Sequence, residues 1–256
     1  MSVLSTVSNR VARAVTDQRV AIREDGVITY LRSRPQATLG WMGSILLSYD
    51  SRRMSPTDVQ NEWAGRSGTY SPTFYAALGE TGGTASIRSV LDARVDHDAA
   101  VLELGCSAGR NLEHLRANGY ENLSGIDINE NAFDVMAESY PELAREGTFY
   151  QDALEDVLPT FDDRQFDVVF SVETLQHIHP DNDWLFDEVV RITDDVLITK
   201  ENEPDDDQLL TTNHVDGFPL YHRDWQAIFT DRGLTHVTQT TDSVDTLRVF
   251  HRPDFE

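Results

Sequence analysis

From Ala99 onward, short apolar runs alternate with stretches whose apolar residues recur at helical spacing. The apolar runs are, in order, AAVLEL, NLSGIDI, TFY, FDVVFSV and DVLIT. Helical spacing lies between them at Asn111–Asn118, Asn131–Tyr140 and Asp183–Ile192. Strands that are apolar on both faces are typical of a parallel sheet covered by helices. This part of the chain is therefore predicted to adopt an α/β fold.

The end of the sequence breaks the alternation. Arg223–Arg232 has helical spacing, and Leu234–Thr240 and Val244–His251 follow as two successive strands. Two strands in succession pair antiparallel, because no helix crosses between them. The fold class is thus a Rossmann-like seven-stranded, mostly parallel sheet with a terminal antiparallel hairpin and an N-terminal helical extension.

Residues 1–95 have a different pattern. Helical spacing is found at Ser8–Ile22 and at Ala76–Ala93, where Gly79, Gly82 and Gly83 interrupt it, and no run of paired strands is evident. Gly, Ser and Pro residues between Ser48 and Pro72 predict a loop-rich segment. We therefore expect two parts: a helical, loop-rich extension that caps a ligand (1–95) and the ligand-binding domain (96–256).

The charge balance restricts the partners. Asp and Glu total 44 against 21 Lys and Arg, a net charge of -23, and Lys200 is the only lysine. Abundant carboxylates with almost no lysine are typical of proteins from halophiles that accumulate salt. Such a surface disfavours nucleic acid, whose binding depends on Lys and Arg.

The sequence carries no sign of export or membrane insertion. The longest apolar stretch, Leu39–Leu47, is about half the roughly 20 residues of a membrane-spanning helix. The N-terminal residues lack the apolar core of a signal peptide, so we expect a cytoplasmic protein. The single cysteine, Cys106, excludes an intrachain disulfide and a multi-cysteine metal site.

The segment VLELGCSAGR is the main candidate for a ligand site. An apolar strand enters Gly105, and a helix follows Gly109. A glycine at such a turn lets the backbone approach a ligand, and the helix N-terminus favours an anionic group. Asp127, at the end of the next strand, is placed to accept the hydroxyl hydrogens of a ribose.

The same residues fit a second reading. Gly105 to Gly109 also match G-x-S-x-G, the nucleophile elbow of α/β-hydrolases, with Ser107 as nucleophile and His214, His222 or His236 as partner. An elbow follows several earlier strands, however, and residues 1–95 do not supply them. The ligand-binding turn is therefore the preferred interpretation.

The motifs together resemble the class I S-adenosylmethionine-dependent methyltransferases. The resemblance rests on VLELGCSAGRN, GIDINENAFDVM, YQDALED and FDVVFSVETLQHI, and it covers about Ala99 to His251. Ser107 replaces the middle glycine of the family's first motif. The resemblance implies that the chain is an enzyme and that S-adenosylmethionine is its cofactor. The cofactor-binding residues that it implies are Glu103, Gly105, Cys106, Gly109, Asp127, Ile128, Asp152, Ala153, Ser171 and Val172.

The acceptor is expected beside Phe170–Pro180. Methyl transfer depends on alignment, and a base is needed only for a hydroxyl or amine acceptor. The resemblance implies Glu173 and His177 as catalytic candidates and His179 as a substrate-side residue. No metal requirement is predicted, because the spacing of His177, His179 and Asp181 offers no complete ligand set.

The segments ITKENE and FPLYHRDWQ resemble methyltransferases encoded with surface-glycan assembly enzymes. Tyr221, His222 and Arg223 are then substrate-side candidates, and the specific hypothesis is methylation of a sugar, such as a uronic acid, on a lipid-linked or N-linked glycan. Peripheral membrane contact is compatible with such an acceptor. The alternatives are a small-molecule or quinone methyltransferase and a non-catalytic ligand-binding scaffold. The oligomeric state is left open.

Overall fold

The computed structural model describes residues 54–79, 81–204, 209–215, 218–242 and 245–253, and the backbone of 20–22 and 28–30. The chain divides into two compact units, Met1–Ser48 and Tyr49–Glu256. The predicted boundary after residue 95 stays a prediction from the sequence pattern. Leu39–Leu47 and most of the predicted helix Ser8–Ile22 lie outside the described residues.

Two short strands are described in the first unit. β1 (Val20–Ile22) and β2 (Ile28–Tyr30) pair antiparallel, with Val20 opposite Tyr30. The expectation of no paired strands before residue 95 was wrong, and so was a helix continuing to Ile22. Both segments are rich in β-branched residues, which favour strands, and a three-residue strand is too short to have a readable period.

The described part of the second unit contains a large sheet and a separate hairpin. Its strands are β3 (Val101–Leu104), β4 (Leu123–Asp127), β5 (Thr148–Gln151), β6 (Phe166–Val172), β7 (Thr193–Glu201), β8 (Leu210–Val215), β9 (Phe218–Arg223), β10 (Thr235–Thr241) and β11 (Thr246–His251).

The helices surround this sheet. They are α1 (Pro56–Ala64), α2 (Pro72–Leu78), α3 (Gly82–Asp92), α4 (Arg110–Ala117), α5 (Ala132–Ser139), α6 (Pro141–Glu146), α7 (Leu154–Val157), α8 (Leu185–Ile192) and α9 (Trp225–Thr230). Short 3₁₀ turns cover Leu158–Thr160, Leu175–His177 and Pro180–Asn182.

The large sheet confirms the predicted fold. Its strand order is β10-β11-β7-β6-β3-β4-β5. The pairs β6–β7, β3–β6, β3–β4 and β4–β5 are parallel, and β11 runs antiparallel to both β7 and β10. The chain leaves β3 for β4 on one side and later returns to β6 on the other. Ligands bind at such a reversal of strand order, beyond the carboxyl ends of the strands.

Both faces of the sheet are buried, as the apolar runs predict. Along β3, Val101 packs into one hydrophobic cluster, whereas Leu102 and Leu104 pack into the other. Alternate side chains of a strand point to opposite faces, so each face needs its own layer of helices.

Helix α1 corrects the expectation of a loop-rich segment from Ser48 to Pro72. The Asp58 backbone N–H donates to Ser55 Oγ at 3.2 Å, and the Ser55 N–H donates to Asp58 Oδ2 at 2.9 Å. Pro56 occupies the first helical position, where its missing N–H costs nothing. The Ser and Pro residues that suggested a loop are in fact a capping box and a helix start.

The hairpin of β8 and β9 was not predicted. These strands pair antiparallel, with Leu210 opposite Arg223, and they lie outside the seven-stranded sheet. The hairpin inserts between β7 and α9, and its strand β9 packs against the turn Leu175–His177. It therefore supports a segment that forms one side of the site described next.

Candidate active site

A cavity lies at the carboxyl ends of β3, β4, β5 and β6, where the strand order reverses. Helices α1 and α2 and the segment after β6 complete its walls. The predicted residues that line it are Glu103, Gly105, Cys106, Asp127, Ile128, Asp152, Ala153, Val172, Glu173, His177 and His179.

The turn after β3 approaches the segment after β6 too closely for a side chain. Gly105 has a φ of 68°, and a Cβ atom there would lie 2.2 Å from Thr174 Oγ1. Ser107 also has a positive φ, 50°, which a non-glycine residue rarely adopts. Its backbone N–H donates to Asp127 Oδ2 at 2.7 Å, and this bond helps hold the strained turn against β4.

Asp127 closes the end of β4 and faces the cavity. Its Oδ2 accepts from Ser107, and its Oδ1 accepts from the Asn129 N–H at 2.8 Å. Burial raises the pKa of Asp127, and the two N–H groups act in the opposite direction. Each carboxylate oxygen accepts more than one hydrogen bond, so Asp127 retains capacity for two hydroxyl donors. This fits the ribose of the implied cofactor.

Glu103 is a buried carboxyl group with one satisfied oxygen. Asn111 Nδ2 donates to Glu103 Oε1 at 2.6 Å, whereas Oε2 has no hydrogen-bond partner among the described residues. Burial raises the pKa of Glu103 to about 8, although Asn111 and Arg110 act to lower it. A buried carboxyl oxygen without a partner at the wall of a cavity fits a ligand with a cationic amino group.

Arg110 is a cavity residue that the sequence reasoning missed. It is the first residue of α4, and its guanidinium lies 5.9 Å from the centre of the Tyr75 ring, which also lines the cavity. A cation at a helix N-terminus beside Glu103 fits the carboxylate of an amino-acid group. Its position directly after Gly109 is the signal that could have identified it.

Asp152 follows the last residue of β5. Its Oδ1 accepts from the Ala153 N–H at 2.9 Å. Helix α7 has Ala153 at its N-cap, with no side-chain cap, so Asp152 does not cap this helix. The side chain stays exposed beside Ile128 and Ala153 at the cavity wall, which is compatible with the adenine role that the resemblance implies.

Three predicted cofactor residues make packing or internal hydrogen-bond contacts in the structure. Ser171 does not line the cavity, and its hydroxyl donates to Glu201 Oε1 at 2.8 Å. Gly109 also lies outside the lining, and a Cβ there would lie 2.7 Å from Met136 Cε. Cys106 lines the cavity, and burial raises the pKa of its thiol well above the usual range, which disfavours the nucleophilic thiolate.

The opposite end of the cavity is aromatic. Trp63 of α1 lies with its ring centre 4.3 Å from that of His177 and 5.7 Å from that of Phe218 in β9. The Arg66 guanidinium lies 4.3 Å from the centre of the Phe218 ring. These contacts pack α1, the segment after β6 and the β8–β9 hairpin together, and of the residues named in them Trp63 and His177 line the cavity.

His177 is buried in this wall as a neutral imidazole. Burial lowers the pKa of His177 to about 3, with a smaller contribution from Arg66, while the Glu173 backbone acts to raise it. Nδ1 has no hydrogen-bond partner within the described chain. A neutral ring nitrogen at this position is able to orient a hydroxyl group, but it is a weak base.

The structure separates the four predicted substrate-side residues. His179 lines the cavity, and its Nδ1 accepts from the Asp181 N–H at 3.1 Å. Tyr221, His222 and Arg223 lie buried in β9 and do not line it. Arg223 Nη2 donates to the Ile178 carbonyl at 2.7 Å, so this guanidinium supports the acceptor segment from behind and does not face the cavity.

The hydrolase reading gains no support from this arrangement. Ser107 lines the cavity, but His214, His222 and His236 do not.

Among the described residues no group of three His, Cys, Asp or Glu side chains is arranged to hold a metal ion. No helix in the described part of the chain is both long and apolar enough to cross a bilayer.

Comparisons with known proteins agree with the fold. Residues 101–195 match the model of a family described as a methyltransferase domain. The 1,6-didemethyltoxoflavin-N1-methyltransferase of Burkholderia thailandensis superposes with a TM-score of 0.55 at 15% identity, covering 68% of this chain and 79% of that one. The magnesium protoporphyrin IX methyltransferase of Synechocystis, with a TM-score of 0.55 and 15% identity, covers 80% and 97%. No curated protein sequence matches the chain.

The structural likenesses are at low identity and concern the fold alone. The matched residues 101–195 contain the glycine turn, Glu103, Asp127 and the segment after β6. The match of residues 101–195 to a methyltransferase domain confirms the prediction of an enzyme, a methyltransferase that uses S-adenosylmethionine.

Proposed function

We propose that the chain transfers the methyl group of S-adenosylmethionine to a hydroxyl group of an uncharged acceptor, and that this acceptor is a sugar of a glycan. The observation that carries the cofactor assignment is the unpartnered Glu103 Oε2 in the same cavity as the Asp127 carboxylate. The cofactor, when bound, supplies a methyl group activated by a sulfonium. Glu103 and Arg110 would hold its amino-acid part, and Asp127 its ribose.

In our proposal, packing around this site is provided by three of the predicted cofactor residues: Ser171, Gly109 and Cys106. Gly109 brings α4 close to α5 and α6, and Ser171 orders the Glu201 carboxylate below the acceptor segment. Val172, Ile128, Asp152 and Ala153 supply contact surface for the cofactor. In this assignment the protein's work is alignment of two reactants and exclusion of water.

The charge of the acceptor wall supports an uncharged substrate. Arg110, at the opposite end, is the cation among the described lining residues, whereas Trp63 presents an indole ring and His177, whose pKa is lowered to about 3, presents an uncharged imidazole. Arg223, which would have faced the carboxylate of a uronic acid, is bonded to the main chain instead. A neutral sugar, whose apolar face packs on an indole ring, matches this wall better than a carboxylated one.

His177 and Glu173 are the catalytic candidates that this proposal retains. His177 Nδ1 would accept a hydrogen bond from the acceptor hydroxyl and orient its oxygen. Deprotonation falls to a carboxyl group, because the pKa of about 3 leaves the buried imidazole a poor proton acceptor. The expected cytoplasmic location, the contact with a lipid-linked acceptor and the halophilic source remain predictions from the sequence.

The test is incorporation of label from methyl-labelled S-adenosylmethionine into a glycan extract, at molar salt because of the net charge of -23. Neutral and acidic oligosaccharides are separated after the reaction. Label in the neutral fraction is the expected result. Label confined to the acidic fraction overturns the uncharged acceptor, and label in neither fraction overturns the sugar. Asp127→Ala serves as the inactive enzyme, and Asp134→Ala, at an exposed position, as its matched control.

A further inference from the structure

The loop after β4 (residues 127–131) contains two consecutive turns of the same kind. Asp127 Oδ1 accepts from the Asn129 N–H at 2.8 Å, and Asn129 Oδ1 accepts from the Asn131 N–H at 3.0 Å. Asp and Asn side chains form such turns by bonding the backbone two residues ahead. The sequence DINEN therefore places Asn129 directly beyond the Asp127 carboxylate, where it is buried.

The other half of the Asn129 amide binds the end of helix α1. Its Nδ2 donates to the carbonyls of Trp63 and Arg66, both at 3.0 Å. The neighbouring Glu130 N–H donates to the Ala64 carbonyl, also at 3.0 Å. The last carbonyls of a helix have no partners further along it, and the last turn of α1 holds no basic side chain that could supply them. The loop after β4 therefore caps α1.

The two residues whose carbonyls Asn129 binds also supply side chains to the acceptor end. The Trp63 ring centre lies 4.3 Å from that of His177, and the Arg66 guanidinium lies 4.3 Å from the centre of the Phe218 ring. Asn129 therefore contacts the Asp127 carboxylate through its backbone and the acceptor wall through its side chain. Both hydrogens of its amide nitrogen are used on α1, so they are not available to the cofactor.

We propose that Asn129 is a positioning residue that links occupation of the cofactor end to the position of Trp63 in the acceptor wall. The inference rests on the proposed function, because it needs a ribose at Asp127. A ribose bound there restrains the loop after β4, and the loop in turn holds the end of α1. By thermodynamic linkage, α1 held on the loop favours cofactor binding by the same factor. The acceptor wall is therefore in place when the methyl donor is bound.

Strand β7 provides an internal reference for the stability of the sheet. Lys200, near its end, is buried, and its Nζ lies 2.7 Å from Asp245 Oδ2 and 2.9 Å from Asp242 Oδ2. These ion pairs tie β7 to the connection between β10 and β11, and the Glu173 N–H donates to the Lys200 carbonyl at 2.8 Å. Because β7 lies between β11 and β6, slow exchange of its amides shows that the sheet is folded.

Hydrogen exchange of the full chain, measured by mass spectrometry with and without saturating S-adenosylhomocysteine, tests the link. In wild type the ligand should slow exchange of the α1 amides about tenfold. N129D keeps an acceptor for the Asn131 N–H but places a carboxylate against the two α1 carbonyls, so the slowing should fall below about twofold. N118D is the matched control and should behave as wild type, because the exposed Asn118 amide donates to the His114 carbonyl in α4. Peptides from β7 should exchange slowly in all three proteins.

Two outcomes overturn the inference. Wild type binds the ligand without slower exchange in α1, or N129D shows the same slowing as wild type, as direct contact between the cofactor and α1 would produce. If fast exchange in β7 shows that N129D does not fold, N129S gives the same test, because it removes the amide without adding a charge.

Calorimetric binding of S-adenosylhomocysteine to the same proteins separates the two proposals. A wild type that does not bind it overturns the proposed function and this inference with it. Proteins that bind it with equal slowing in wild type and N129D overturn only the role of Asn129.

Discussion

The two ends of the cavity are built from different parts of the chain. The cofactor end takes Glu103, Arg110 and Asp127 from one continuous βαβ segment of fewer than thirty residues. The acceptor end joins α1, the segment after β6 and the β8–β9 hairpin, which lie far apart in sequence. The cofactor end presents carboxyl groups and a guanidinium, while the acceptor end presents rings.

This difference shows that the cofactor end is determined by the fold, whereas the acceptor end varies with the segments added to it. The carboxyl ends of adjacent parallel strands always meet, so the cofactor end follows from strand order alone. The acceptor wall depends on insertions outside the sheet, and one fold therefore accommodates many acceptors. The predictions below challenge this division, from the largest expected effect to the smallest.

Asp127→Ala should have the largest effect, and only on the cofactor end. It removes the acceptor of the implied ribose hydroxyls and also that of the Ser107 and Asn129 N–H groups. We expect the Kd for S-adenosylhomocysteine to rise roughly 100-fold by calorimetry. Asp134→Ala, on the exposed face of α5, is the control. Equal affinities in the two variants would contradict the assigned site.

Arg223→Ala should destabilise the acceptor end without touching the cavity. The buried guanidinium loses hydrogen bonds to the Ile178 and Tyr221 carbonyls and its position over the Phe186 ring. We expect the free energy of unfolding in urea to fall by about 2 kcal/mol. Arg232→Ala removes an arginine that also lies near Phe186 but is more exposed, and should cost much less. Comparable losses would show that Arg223 is no structural anchor.

Glu103→Gln should change the pH dependence of cofactor binding. The pKa of about 8 keeps Glu103 mostly protonated at neutral pH, and only its carboxylate pairs with an ammonium group. Affinity for S-adenosylhomocysteine should therefore improve about tenfold as pH rises through that range in wild type, and stay flat in Glu103→Gln.

Two controls sharpen the Glu103 experiment. Methylthioadenosine, which lacks the amino-acid part, should bind with the same pH dependence in both proteins. Glu121→Gln, at an exposed position, should behave as wild type. A flat wild-type profile would remove the amine assignment while leaving the ribose assignment of Asp127 intact.

Trp63→Leu should have the smallest effect on cofactor affinity. It should therefore distinguish the acceptor end of the cavity from the cofactor end. The indole contacts His177 and Phe218, so its loss loosens the acceptor wall. We expect the Kd for S-adenosylhomocysteine to change less than about threefold, while label transfer to the neutral glycan fraction falls about fivefold. A larger loss of cofactor affinity than of transfer would place Trp63 at the cofactor end.

The contrast between the two ends of the cavity also explains which site residues the sequence could predict and which it could not. The spacing from VLELG to GIDI indicates a local βαβ unit, so the turn, Glu103 and Asp127 could be placed, and the two terminal strands predicted the antiparallel end of the sheet. The sequence around Trp63 does not indicate that its ring contacts His177, because the two residues lie more than a hundred positions apart in the sequence. Arg223 could be identified, but whether its guanidinium faced the cavity or the main chain depended on the unpredicted hairpin.

The burial of Lys200 has a practical chemical consequence. Its Cε lies 3.0 Å from where a Cβ of Gly83 would be, and its amine is enclosed by Asp242 and Asp245. Because the chain has no other lysine, amine-directed reagents meet only the chain terminus until this end of the sheet opens. The rate at which Lys200 becomes labelled therefore measures how often the structure beside the acceptor segment opens locally, and no engineered probe is needed.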